Sequence, residues 1–208
     1  MYDNIIYDFD GTVADSYPYF TRALKLTLEH YGKEDTYESI LANLKISVRH
    51  ALRHYAFPDR AEAKKMMYDI YHRLALAEQG PVLGAAEALR YASQNGKKNF
   101  LYTHSDGFPR LLLEKWGLLD EFTFIIDSTF HFPAKPAPDA LNYLCERFSL
   151  DRSRSLMVGD RDIDVLAGLN AGMHGCLFDD GHFYDSFDCE HTVRDMHELI
   201  GIIWYLIT

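Results

Sequence analysis

The hydrophobic positions of this chain change their period twice. Asn4-Ile-Ile-Tyr-Asp-Phe9 is a short apolar run ending in acids, and it predicts a buried strand. From Tyr17 to Gln79 the spacing turns helical. Phe20, Leu24, Leu28 and Tyr31 mark a long first helix with Gly32 as its stop. Ile40, Leu41 and Leu44 predict a short second helix, and Val48, Leu52 and Tyr55 a third that ends at Phe57-Pro58. Ala63, Met67, Ile70 and Leu74 predict a fourth, ending near Gly80-Pro81.

After Pro81 short apolar runs alternate with helical ones. Helices are expected at Gly84 to Gln94, Leu111 to Trp116, Pro138 to Phe148, Asp164 to Ala171 and Met196 to Leu206. Strands are expected at Asn99 to Thr103, Phe122 to Ile126, Ser155 to Val158 and Gly175 to Phe178. Helices alternating with short apolar strands imply a parallel sheet covered on both faces. The fold class is therefore α/β: a doubly wound parallel-sheet core, residues 1–15 and 81–208, with an all-helical insert after the first strand, residues 16–80.

Charge and cysteine content narrow the function. The 208 residues carry a formal net charge of -10, so no nucleic acid or anionic membrane partner is expected through the general field. Any phosphate site must make its own local positive potential. Three widely spaced cysteines, Cys145, Cys176 and Cys189, form no C-x-x-C pair and fit a reducing cytoplasm. No signal peptide is expected from the opening Met-Tyr-Asp-Asn, and the apolar stretch Leu199 to Ile207 is too short to span a bilayer.

In open α/β sheets ligands bind beyond the carboxyl ends of the strands. The first strand here ends in Asp8-Phe-Asp10-Gly-Thr12, and the second in Thr103-His104-Ser105. Lys135-Pro-Ala-Pro138 precedes a helix, and another strand ends in Gly159-Asp160-Arg-Asp162-Ile-Asp164. Alternation along a strand points Asp8 and Asp10 the same way. Two carboxylates held together repel, and a hard divalent cation such as magnesium removes that cost, with Asp160 as a third acid from another strand. A carboxylate is also a nucleophile able to form an aspartyl-phosphate. Asp10 is placed to protonate the leaving oxygen and then to activate water. Thr103 offers a hydroxyl donor to the phosphoryl oxygens, Lys135 a point charge, and Gly11 close backbone approach.

In order, Asp8-Phe-Asp-Gly-Thr-Val, Thr103, Lys135-Pro and Gly159-Asp160-x-x-x-Asp164 resemble the four motifs of the haloacid dehalogenase-like hydrolase superfamily. The resemblance covers essentially the whole chain and is strongest to the phosphoglycolate phosphatase and β-phosphoglucomutase branch. It implies a Rossmann-like core with a helical cap. It implies Asp8 as nucleophile and magnesium ligand, and Asp10 as acid/base, binding the metal through its backbone carbonyl. Thr103 and Lys135 would hold phosphate, and Asp160 would be a metal ligand. Asp164 would stand behind the ligands or occasionally join them, unless it simply caps the helix that follows it. His104 stands where many relatives carry Asn, with its backbone facing the phosphate. Lys45 and Arg49 fall where relatives place a specificity loop; the alternative is a solvated basic face.

The expected activity is magnesium-dependent hydrolysis of a small phosphorylated metabolite. A phosphomutase would reuse the same aspartyl-phosphate but exclude water. A dehalogenase leaves Asp10 and Asp160 without purpose. A response-regulator-like signalling domain shares the acids, Thr and Lys, but phosphorylates an Asp on a later strand and needs no helical insert.

Overall fold

The computed structural model of the chain describes residues 1–184 and 186–204. These divide into two units, one of residues 1–14 with 81 onward, the other of residues 15–80. The chain opens with β1 (Asn4–Tyr7), whose four residues are all buried. The apolar run predicted a strand through Phe9, but regular pairing stops at Tyr7.

The helical unit contains α1 (Tyr17–His30), α2 (Tyr37–Ile46), α3 (Val48–His54) and α4 (Arg60–Glu78). Caps set its boundaries. Thr36 accepts from the Ser39 N–H, Ser47 from the His50 N–H, and Asp59 from the N–H groups of Ala61 and Glu62. Phe20 stacks on Tyr71 with ring centroids 3.7 Å apart. The buried stripe of α4 is Ala63, Met67, Tyr71 and Ala75. The expected Ile70 and Leu74 are only half-buried, because a strict four-residue step carries the stripe onto Tyr71 and Ala75.

The other unit continues with α5 (Ala85–Gln94), β2 (Lys98–Tyr102), α6 (Phe108–Lys115), β3 (Phe122–Ile126) and α7 (Asp139–Phe148). It ends with β4 (Ser155–Gly159), α8 (Asp162–Asn170), β5 (His174–Phe178), β6 (His191–Val193) and α9 (Met196–Trp204). The predicted extension of α9 to Leu206 lies outside the described residues. The strands form one sheet in the order β3-β2-β1-β4-β5-β6, every pair parallel. The chain steps outward from β1 to β3, then crosses back to β4 on the other side of β1. The order therefore reverses around β1, which makes its carboxyl end the expected ligand crevice.

Ile6, Phe100, Tyr102 and Met157 project to one face and join Leu141, Leu144 and Ala167 in a single buried cluster. On the other face, the Asn99 side-chain amide donates to the Leu89 carbonyl of α5. Helix α6 begins at Phe108, three residues before the expected Leu111, so Phe108-Pro109 is its first turn. Three-residue β6 was not expected, since a short half-exposed edge strand shows no alternation. No helix of the described residues is long and apolar enough to cross a membrane.

Candidate active site

Past β1 the ladder persists for one residue: the Asp8 N–H donates to the Val158 carbonyl at 2.9 Å. The Phe9 carbonyl then accepts from the N–H groups of Val13 and Ala14, at 3.0 and 2.9 Å. Gly11 turns the corner at φ +78°, a conformation that strains residues with a side chain. This turn holds the Asp8 and Asp10 backbone at the sheet edge. Asp8 is buried and Asp10 half-buried.

Lys135 arrives from the loop before α7, its side chain fully buried. Its Nζ lies 2.5 Å from Asp8 Oδ1 and 2.8 Å from Asp164 Oδ1, and it donates to the Tyr102 carbonyl at 2.8 Å. Burial works against the Lys135 ammonium, but Asp164 and Asp8 outweigh it and hold its pKa above the ordinary lysine value. Burial pushes the Asp164 carboxyl upward, with Lys135 opposing. One carboxylate oxygen from each of Asp8, Asp160 and Asp164 lies within 4.8 Å of the others, and all three residues are buried. Asp8 Oδ2 has no hydrogen-bond partner among the described residues. Three buried carboxylates that bring hard oxygens together, one of them with an oxygen lacking a partner, fit a divalent cation.

The Asp10 carboxylate is not part of that oxygen cluster. Its Oδ2 accepts instead from the Ser105 hydroxyl at 3.0 Å. Sequence reasoning noted Ser105 at the strand end but gave it no role; a hydroxyl two residues past Thr103, at the edge shared with Asp10, was the available signal. The Ser105 N–H donates to Thr103 Oγ1 at 3.0 Å, which leaves the Thr103 hydroxyl hydrogen for another acceptor. Nε2 of His104 accepts the Lys135 backbone N–H at 3.2 Å.

Asp164 owes its place to α8, which begins at Asp162 and not, as expected, at Asp164. Asp164 is therefore in the first turn, where its Oδ2 accepts the Arg161 N–H at 3.1 Å. It caps the helix from within and faces Lys135 at the same time. The Asp162 N–H is satisfied by the Tyr184 hydroxyl at 3.0 Å. Glycines bring α8 close to the sheet. A Cβ at Gly168 would lie 2.6 Å from Met157 Cβ, and one at Gly159 would lie 2.2 Å from Asp164 Cβ. Gly159→Ala removes no functional group, yet it is expected to displace Asp164. Thermal melting should show destabilisation of about 1–3 kcal/mol, accompanied by loss of activity.

Lys45 and Arg49 belong to the helical unit. The expected loop between them shrinks to Ser47, with Lys45 in the last turn of α2 and Arg49 in the first turn of α3. Lys45 Nζ sits 3.9 Å from the centroid of the Tyr17 ring.

Residues 5–178 match the family model described as haloacid dehalogenase-like hydrolase. The chain belongs to the haloacid dehalogenase-like hydrolases. Within that family, a phosphoglycolate phosphatase of Psychrobacter arcticus is 27% identical over 183 residues, spanning 81% of this chain and 80% of its own. An uncharacterized hydrolase of Saccharomyces cerevisiae is 25% identical, spanning 96% and 89%. The crystal structure of a predicted phosphoglycolate phosphatase from Haemophilus somnus superposes with a TM-score of 0.85 over 97% of both chains, at 17% identity. The α/β family fold expected from the motif order is the fold observed.

Proposed function

We propose that this hydrolase is a magnesium-dependent phosphatase of small phosphorylated metabolites, with Asp8 as its nucleophile. The observation that carries this reading is the buried oxygen cluster of Asp8, Asp160 and Asp164, with the Lys135 ammonium against two of its members. Asp8 and Asp160 would hold the metal with the Asp10 backbone carbonyl, and Asp164 stands beside them through Lys135. When bound, magnesium offsets the repulsion among the carboxylates and the negative charge of the phosphoryl oxygens.

The side chains divide the chemistry as follows. An Asp8 oxygen attacks phosphorus, and the bond from phosphorus to the leaving oxygen breaks. Asp10, in its acid form, gives that oxygen a proton. The product is an acyl phosphate on Asp8. Asp10, now a carboxylate held by Ser105, takes a proton from water as the water attacks phosphorus. Inorganic phosphate leaves and Asp8 is restored. Thr103 donates its free hydroxyl hydrogen to the phosphoryl group, while Lys135 balances its charge. Each such donor is worth about 2.7–4 kcal/mol of barrier.

The leaving group is assigned to the helical unit, with Lys45 and Arg49 as the groups that would recognise a carboxylate or sugar. The likeness to the phosphoglycolate phosphatase of Psychrobacter arcticus supports phosphoglycolate as a substrate, with a sugar phosphate as the other class proposed. The test is hydrolysis of p-nitrophenyl phosphate under a magnesium titration, followed by a panel of phosphoglycolate, sugar phosphates and nucleotides. Activity should vanish in excess EDTA and return with magnesium. Full activity in EDTA contradicts the reading. Transfer of phosphate to a sugar in place of its release identifies a mutase.

A further inference from the structure

The sequence left the His104 side chain without a settled task, and the geometry supplies one. Lys135 is held at both ends by the residues that flank Thr103. At one end, its ammonium donates to the Tyr102 carbonyl at 2.8 Å and lies 4.5 Å from the Tyr102 ring centroid. At the other, its backbone N–H donates to His104 Nε2 at 3.2 Å. The Tyr102 and His104 rings meet edge to face, with centroids 5.6 Å apart. The end of β2 thus fixes where the Lys135 main chain sits and how far its side chain must reach.

We propose that His104 is a positioning residue for Lys135, acting through Nε2 as a hydrogen-bond acceptor and not as a contact to the leaving group. The proposal rests on the reading that Lys135 serves the transferring phosphoryl group.

The protonation state follows from the bond. An imidazolium has no lone pair to accept an N–H, so the ring is neutral with its proton on Nδ1. His104 is exposed on its outer side, but its inner edge is desolvated. That burial, with the cations of Lys135 and Arg161 nearby, lowers its pKa to about 4. The acceptor therefore persists at neutral pH. A long, flexible lysine stem gains most from a fixed root. Its ammonium meets Asp8 and Asp164 only when the backbone is held, and small misplacements of catalytic groups are costly. An asparagine at this position has a shorter side chain and does not place an acceptor where Nε2 lies.

Three variants in the full chain test this: His104→Ala, His104→Gln and His104→Asn. The glutamine carbonyl reaches the position of Nε2, whereas asparagine stops near Nδ1. For each, kcat and KM are measured with p-nitrophenyl phosphate and with a second phosphomonoester of different leaving group, together with inhibition by inorganic phosphate and a thermal melt. His104→Ala should lose about 10- to 100-fold in kcat/KM, by the same factor for both substrates. Phosphate inhibition should weaken alongside, because Lys135 would serve the phosphoryl group and not the leaving group. Glutamine should restore most of the loss, and asparagine little.

An unaffected alanine variant overturns the proposal. So does a loss that differs between leaving groups, or rescue by asparagine but not glutamine, which would place the working atom at Nδ1 on the substrate. If alanine prevents folding, the contrast of glutamine with asparagine still decides. An active Lys135→Met variant would instead overturn the reading beneath. Loss of activity in Lys135→Met with a silent His104 series would overturn this inference alone.

Discussion

Asp8→Asn should abolish turnover, lowering kcat by about 10⁴-fold or more, the scale seen when a covalent nucleophile is removed. The substitution keeps the volume of a buried side chain and exchanges one carboxylate oxygen for an NH2 group. Lys135 still keeps Asp164 at 2.8 Å and the Tyr102 carbonyl at 2.8 Å, so its charge is not stranded. The variant should therefore remain folded, with a melting temperature near that of the parent. Loss of activity without loss of fold separates a chemical role from a structural one. Purified Asp8→Asn that still hydrolyses p-nitrophenyl phosphate at a substantial fraction of the parental rate would remove the basis for the mechanism.

Lys135→Met should damage both fold and activity. Methionine matches much of the lysine stem but leaves Asp8 and Asp164 facing each other in a buried setting without their cation. Removing one partner of a buried ionic cluster costs about 3–5 kcal/mol. For a chain of this size that corresponds to a fall in melting temperature of roughly 10 °C. The two acids regain a counter-charge from a divalent ion, so magnesium should raise the melting temperature of the variant more than that of the parent. Turnover should fall further, by about 10²–10³-fold, because the phosphoryl group loses a charge partner. An unchanged melting temperature would show that the ammonium does not balance these carboxylates.

Much of the candidate site was legible in the chain as a set of polar residues because they follow directly on apolar strands. Asp8 and Asp10 come after β1, Thr103 after β2 and Asp160 after β4, so the parallel order delivers them to one edge. Lys135 reads as a point charge for the phosphoryl group from the loop before a helix, and the structure adds its complete burial. What local pattern did not reveal depends on contacts between distant residues. Helix α8 begins two residues earlier than expected, and its Asp162 N–H is satisfied by Tyr184 from beyond β5. Asp164 thereby becomes a cap inside the first turn and, unforeseen from the sequence, a partner of Lys135. Ser105 and His104 sit in the right stretch, yet their partners, Asp10 and Lys135, are 95 and 31 residues away. No spacing rule encodes those bonds. The helical unit shows the same limit, since Tyr71 on the buried stripe of α4 stacks on Phe20 of α1, a contact that spacing along α4 does not encode.

The claim on which the rest depends is that phosphate passes through the Asp8 carboxylate. Rapid quenching of the enzyme during turnover, reduction with borohydride and peptide mass spectrometry test it directly, because reduction converts an aspartyl phosphate to homoserine. Homoserine is expected at position 8, formed only when substrate is present and absent from Asp8→Asn. Homoserine at Asp10 or Asp160, or rapid turnover that leaves Asp8 unmodified at every quench time, would contradict it.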